Sequence, residues 1–475
     1  MTAALNWTLF ANSLLVAVIS TLTASLLGLA YAIAMNASPR SLRRLLLAGA
    51  VATLALPSFL VTNSWIDLFG ATGWLSPVLP LNLYSLLGVI WVLSLILWPI
   101  PAIACACAWN HLEPVHFEVD PALRSTNLLR WLLWPTARAM TLTSSGVVLA
   151  LAATNFTIPA ILQVRVFAAE SWIAFNTNLD ASAARWLSAP LLIAPLALLL
   201  CARQRQFPWP RESATDISTI MRRQLGRGLC SMTFVVAGVL VLLALALPLV
   251  QLLGNARTWN EFGPAVQAGI PALVSSVSCA AASAILATAF GLILARVRWM
   301  GWLWLLFLAP GILLGITVVE WLNRPGLEWL SRTGIIVVTL LAVRHIALAR
   351  AVCRTALGSV DSLLLDAGRL EGATGLTLFR CVTWPQIARA VAGAGYLIYL
   401  FCLWDVESIL MVVPPGGETL ALRVFNLLHY GHNSHVNALC VLLLLLALAP
   451  LILLAGWTVA RRARRSAGSF RIDEA

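Results

Sequence analysis

The sequence predicts an all-α, polytopic membrane protein of about eleven transmembrane helices in two parallel-repeat halves, N-terminus outside and C-terminus inside. Three observations predict it. Of 475 residues 60% are hydrophobic and only 11% charged, with a mean hydropathy of +0.88. A soluble domain averages roughly 25% charged residues. Apolar runs recur along the whole chain, many reaching the about 20 residues that a bilayer crossing needs. Arginines concentrate in alternate connections between those runs.

The runs are read in order as spans near 8–35, 45–66, 84–109, 139–162 and 186–203, then 230–253, 268–295, 299–322, 333–353, 391–413 and 436–460. The first has no basic segment before it and no small-residue cleavage site, so it reads as a permanent helix and not a signal peptide. Arg40, Arg43 and Arg44 follow the first span, and Arg124, Arg130 and Arg138 the third. Arg222, Arg223 and Arg227 precede the sixth, and Arg369, Arg380 and Arg389 precede the tenth. With alternating spans all of these fall on one side, which the positive-inside rule makes cytoplasmic. The polar stretch 206–228, with Pro, charge and Ser/Thr, reads as a cytoplasmic linker. It divides a first half, 1–205, with five spans from a second, 229–475, with six.

Net charge is +12, yet the arginines lie in short loops and not on one basic face, so nucleic-acid binding is excluded. All 31 basic residues are Arg. A P-loop needs its Lys to reach the β- and γ-phosphates, so this chain is read as no enzyme, and any ATP-driven work falls to a partner. The nine cysteines lie mostly in apolar segments and read as small buried residues. Cys105 and Cys107 lack zinc-ligand spacing. No cofactor or metal site is expected. His429, His432 and His435 repeat every third residue and drift around a helix, so they read as a wet helix start.

The polar stretch DAGRLEGATGLTLFRCVTWP, Asp366 to Pro385, lies between two apolar runs. It resembles the EAA loop of ATP-binding-cassette (ABC) importer permeases. That pattern runs acid-Ala-Ala, three residues, Gly, nine residues, an aliphatic, one residue, Leu-Pro. Asp366, Ala367 and Gly368 stand at the first three positions, and Gly372, Val382 and Pro385 at the Gly, aliphatic and Pro positions. Gly368 replaces the second Ala and Trp384 the Leu. The resemblance implies that this loop, 361–389, docks a cytoplasmic ATPase. Arg369, Glu371 and Ala373 belong to it, a polar helix over 365–371 begins near Asp366, Gly372 makes the turn, and Leu376 and Phe379 press on the partner. Pro385 starts the next helix.

Trp134-Pro135 followed by TARA mirrors Trp384-Pro385 followed by QIARA, at an offset of 250 (385 − 135). Counted back from Pro135, the first loop, 113–138, is a degenerate copy. His116 takes the acid position, with Glu118 and Asp120 near it, and Ala122 takes the Gly position. Leu132 takes the aliphatic position, and Leu123, Leu129 and Pro135 complete the copy.

Ionisable groups within spans are functional candidates because they are expensive there. Asp405 and Glu407 fall in the tenth span, and Asn155 and Pro159 occupy the corresponding fourth. Two residues apart on a helix, the two acids are expected to point in different directions, only one toward a pathway. Glu320 ends the eighth span near the outer surface.

Taken over the chain, the resemblance is to a fused, two-half permease of the type I ABC importer class. FTIPAILQVRVFAAE and GGETLALRVFNLLHYG bring it nearest the ferric-iron group, with thiamine, polyamine and phosphonate permeases as relatives. It implies a multi-pass protein of the bacterial plasma membrane importing a small solute, ferric iron first, with two copies of an ATPase and a periplasmic or extracellular solute-binding protein as partners. Membrane lipid is the surrounding partner. The family's halves usually carry six spans, so the resemblance implies a missing N-terminal helix. The alternative is an ion-coupled secondary transporter without an ATPase.

Overall fold

The computed structural model describes residues 7–70, 73, 77, 81–109, 112–118, 120, 123–201, 217–297, 299–429 and 435–469, with Arg257 and 455–469 as backbone alone. Among these residues the chain is all-helical, with no strand. Nine helices are long and apolar enough to cross a membrane, and up to eleven spans result if each of two bent pairs counts as one. The nine are Trp7–Asn36, Leu86–Trp109, Thr126–Ile161, Ala181–Cys201, Ser218–Gly254, Phe262–Leu294, Ile335–Gly358, Gly375–Trp404 and Val436–Leu454.

Two expected spans are broken. Arg40–Leu54 meets Ser58–Phe69 at 89°, and Met300–Leu308 meets Gly311–Leu322 at 102°. Proline is the cause in each. Pro57 and Pro310 cap the second helix of each pair in extended conformation. Proline also pushes the preceding residue out of the helical region, and Ala309 accordingly has ψ 150°.

Two further expectations are corrected. The fourth span begins at Thr126 and not near 139, and the tenth covers Gly375–Trp404 and not 391–413. Consequently Pro385 does not start its helix. It follows a π turn, Phe379–Thr383, inside a continuous helical segment. Pro135 likewise follows the π turn Leu129–Leu133, and Pro248 follows Leu242–Ala246. A proline ring clashes with the carbonyl four residues back and lacks an N–H. Trp131, Cys381 and Ala244, at those carbonyls, all lie inside the wide turns, so the π geometry makes room for each ring.

The order of elements recurs along the chain. A long helix (Trp7–Asn36; Phe262–Leu294) is followed by a bent pair, a helix of 24 residues (Leu86–Trp109; Ile335–Gly358) and a π turn leading into a helix of 21 (Trp134–Thr154; Trp384–Trp404). Small residues let these helices approach. A Cβ on Gly291 would lie 2.4 Å from Ala349 Cβ and 2.8 Å from Arg350 N. On Gly28 it would meet Trp98 O and Pro101 Cγ, both at 2.7 Å. Hydroxyl pairs join the same helices, Thr23 with Ser94 at 2.9 Å and Ser25 with Ser145 at 2.8 Å.

One apolar core runs through both sets of helices. Two smaller clusters lie apart from it. One gathers Met35, Trp109, Phe117, Leu133, Met221 and Leu225; the other gathers Ala295, Cys353, Ile387 and Val391.

Gly291→Leu is expected to force Phe262–Leu294 away from Ile335–Gly358, lowering the melting temperature of the purified chain by an overpacking cost of about 1–3 kcal/mol. Gly393→Ala, where a Cβ meets nothing within 4 Å, should leave it unchanged or slightly raised. Equal melting of Gly291→Leu and the unaltered chain would show that the helices do not cross there.

Candidate functional site

Asp405 and Glu407 do not sit on a helix. Trp384–Trp404 stops just before Asp405, whose backbone is extended (φ −68°, ψ 111°). Trp134–Thr154 stops in the same way before Asn155 (φ −65°, ψ 120°), an offset of 250 (405 − 155). Each break is capped by its own side chain. Asp405 Oδ1 accepts the N–H of Ser408 at 2.8 Å, and Asn155 Oδ1 accepts that of Ile158 at 3.1 Å. At the first break proline contributes, since buried Pro159 stands four residues after Asn155 and could not have bonded to its carbonyl. The second break has Ile409 at that position, and only the carboxylate and hydroxyl hold it.

Freed from helical geometry, both acids reach one partner, which corrects the expectation that they diverge. Arg344 Nη1 donates to Asp405 Oδ2 at 2.8 Å and to Ser408 Oγ at 2.5 Å, and Nη2 donates to Glu407 Oε2 at 3.4 Å. The side chains are 12%, 5% and 13% exposed for Arg344, Asp405 and Glu407. Glu407 Oε1 also accepts the backbone N–H of Phe156 at 2.9 Å. Glu407 thus closes the distance between the two breaks. In the first set of helices the charges are absent. Asn155 stands at the place of Asp405, and Ser94 stands 250 residues before Arg344.

Arg344 escaped sequence reasoning, which searched the spans for acids. Its signal was visible as a guanidinium centred in the apolar run IIVVTLLAVRHIALA, and buried charges are retained when paired. Other contacts tie the two sets together around this junction. Asn63 donates to Asn437 at 2.7 Å, and Arg185 pairs with Glu320 at 2.7 Å on the surface. The Phe156 ring packs against Trp172 at 5.5 Å and Phe425 at 5.3 Å. His429 stacks on Phe425, His435 lies 3.2 Å from Glu261, and His432 is outside the described residues.

The loop helix of 361–389 is Ser362–Leu370, not 365–371. Asp361 is its N-cap, accepting from Leu363 N at 2.9 Å. Asp366 is therefore mid-helix, in an exposed pair with Arg369 at 2.9 Å, and not at the N-terminus. Ala367 and Glu371 are exposed and Ala373 half-buried. The C-terminus is a Schellman motif: Gly372 N donates to Arg369 O at 3.0 Å and Ala373 N to Gly368 O at 2.9 Å. Gly372 has φ 82°, the left-handed conformation that favours glycine. At Gly368 a Cβ would lie 2.9 Å from Leu378 Cδ1 and 3.1 Å from Val382 Cγ2, both side-chain ends that can shift. None of the helix is buried. Leu363, Leu370 and Leu376 are 76%, 89% and 79% exposed, while Phe379 is half-buried against Trp384.

The loop of 113–138 is built otherwise. Its helix, Pro114–Glu118, buries Phe117 completely. Gln224 bridges from the Ser218–Gly254 helix: its Nε2 donates to Phe117 O at 2.5 Å and its O accepts from Ser125 N at 2.8 Å. Asp120 is exposed, Leu123 and Leu129 half-buried and Pro135 exposed; Ala122 and residues 206–216 of the 206–228 linker lie outside the described residues, and from Ser218 the linker is helical. The two loops share the π turn and proline but not the bare helix.

Arg344→Met is expected to strand two buried carboxylates at a cost of about 3–5 kcal/mol, seen as a large fall in melting temperature. Adding Asp405→Asn should recover part of that fall. If the single and double variants melt alike, the ion pair is not coupled as its geometry indicates.

No family model matches the chain. Curated relatives do. The spermidine/putrescine transport system permease protein PotC of Haemophilus influenzae is 27% identical over 197 residues, 39% of this chain and 74% of the relative. The putrescine transport system permease protein PotI of Escherichia coli is 29% identical over 120 residues, 25% of this chain and 43% of the relative. The Escherichia coli PotC protein is 32% identical over 92 residues, 19% of this chain and 35% of the relative. The matches thus span from about a third to three quarters of these relatives' lengths. None of these names mentions iron, so the ferric-iron expectation finds no support in them. Together with the apolar helices, this weak but repeated similarity supports reading the chain as a multi-pass membrane permease related to those of polyamine transport systems.

Proposed function

We propose that the chain is the fused, two-half permease subunit of a binding-protein-dependent ABC importer in the bacterial inner membrane. It would move a small solute into the cytoplasm with a separate ATPase as engine. The bare Ser362–Leu370 helix carries this reading. A soluble face of leucines, rigidly capped at both ends and joined through a π turn to a spanning helix, has the form of a contact for a cytosolic partner. Two ATPase copies would meet two loops. The second copy would meet the loop of 113–138, where Val115 and Trp131 are 63% and 64% exposed. A solute-binding protein would meet the opposite face.

The relatives' names favour a polyamine over iron as solute. On this reading Asn155, Pro159, Asp405 and Glu407 border the pathway at the two helix breaks. The separate apolar clusters about Trp109 and Ile387 fit a state in which the halves part at the arginine-rich end and meet around Phe156 and Glu407.

Gly372→Arg should leave membrane insertion intact and abolish co-purification of the ATPase. The side chain has room, with nothing within 4 Å of a Cβ. A non-glycine residue at this φ nevertheless costs roughly 1–2 kcal/mol of cap geometry, and Arg puts a charge beside the leucines. Unchanged co-purification would end the docking assignment.

In proteoliposomes holding the complete complex, labelled putrescine should enter only with ATP, and ferric ion should not compete. Competition by ferric ion would restore the iron reading. Uptake that survives ATP depletion and collapses with an ionophore would replace the ABC reading by the ion-coupled alternative.

A further inference from the structure

The Ser218–Gly254 helix is bent where its character changes. Gly226 has φ 77° and ψ 164°, outside helical geometry. Before it, the turns through Arg222, Arg223 and Gln224 lie along the loop of 113–138, with Met221 and Leu225 buried beside Phe117. After it, the chain becomes the strongly apolar span, where Met232 and Val235 are 63% and 64% exposed as lipid-facing residues would be. The elbow therefore stands at the boundary between polar and hydrocarbon surroundings.

A recess of about 480 Å³ opens at this elbow, lined by Arg222, Gly226, Arg227, Cys230, Ser231 and Phe234. That is within the size range of small-ligand pockets, roughly 300–1,000 Å³. Among the described residues, two guanidinium-bearing side chains and no acid line it. Arg222 is held in place, with Nε donating to Ala37 O at 3.3 Å and Cζ lying 5.5 Å from the centre of the Phe234 ring. A guanidinium fixed in this way offers a planar fork suited to a phosphate oxygen pair. Gly226 and Gly228 leave the approach open, since a Cβ on either meets nothing within 4 Å.

We propose that this recess binds the phosphate headgroup of an anionic phospholipid from the arginine-rich side of the membrane. Arg222 and Arg227 hold the phosphate, and Phe234 begins the apolar wall along which an acyl chain runs. A single-sign pocket at headgroup depth selects a lipid by charge, which also explains why the pocket has an apolar side that a free anion would not use. Because Gln224, Met221 and Leu225 grip the loop of 113–138 from the same turns, a seated lipid would stiffen that loop.

The purified full chain, in mixed phosphatidylglycerol and phosphatidylcholine, is examined by native mass spectrometry. The unaltered chain should retain one phosphatidylglycerol more than the Arg222→Gln/Arg227→Gln variant, with at least a five-fold difference in occupancy. Arg332→Gln, at an exposed residue outside the elbow, should retain it in full. Equal melting temperatures of these forms exclude misfolding as the cause; if the double variant melts lower, the single Arg227→Gln variant, which keeps the Arg222 bond to Ala37, must still lose occupancy. Retention unaffected by 10-fold excess inorganic phosphate assigns the site to lipid. Displacement by inorganic phosphate alone, or equal retention by the double variant, overturns the proposal.

Discussion

A spanning helix cannot simply stop inside hydrocarbon, because every exposed backbone N–H and C=O there lacks a partner. Besides the bends at Pro57 and Pro310, this chain ends two long helices, before Asn155 and before Asp405. The side chains of Asn155 and Asp405 satisfy their own breaks, and Glu407 reaches across to the N–H of Phe156. Carboxylates are costly substitutes for backbone carbonyls, so Arg344 is required to hold them. The result is one bonded unit made from segments about 250 residues apart.

The two arginine-bearing loops have diverged in what they cover. One keeps its helix bare and fixed by a cap at each end. The other folds its helix onto Phe117 and receives Gln224 as a brace. If both meet copies of one engine, the contacts are unequal. Force would enter the second set of helices through a free-standing helix and the first through a braced one. One chain carrying both sets of helices permits this, since the two are free to differ where identical subunits are not.

Much of the fold was legible because apolar length is a strong signal. Among the described residues each of the eleven apolar runs overlaps one of nine long helices or one of two bent pairs, although the fourth and tenth begin earlier than expected. The bends at Pro57 and Pro310 were not foreseen, since a sliding measure of hydropathy does not register a turn within an apolar run. The expected loop helix starts three residues late because Asp366 was set near its N-terminus, where Asp361 caps it instead. Asp405 and Glu407 stood out as acids among apolar residues, but helical periodicity was applied to a place where the helix had ended. Arg344 was missed for the opposite reason, that nothing but its position among aliphatic residues marked it. Pairing across the chain is a tertiary fact, and a single sequence holds no record of it.

The wide turns before Pro135 and Pro385 have a mechanical meaning. A π turn holds an extra residue relative to the α-helix around it, and one residue is about 100° of rotation. Each such turn lies between a loop and the helix that ends at a break. Sliding the extra residue along would twist one end of the rod relative to the other without unwinding it. Proline opposes that sliding, because its ring needs the widened turn directly behind it. The rods are thus locked as torque shafts: a loop that turns must turn the far end with it, and with it the ground on which Asn155 and Asp405 stand.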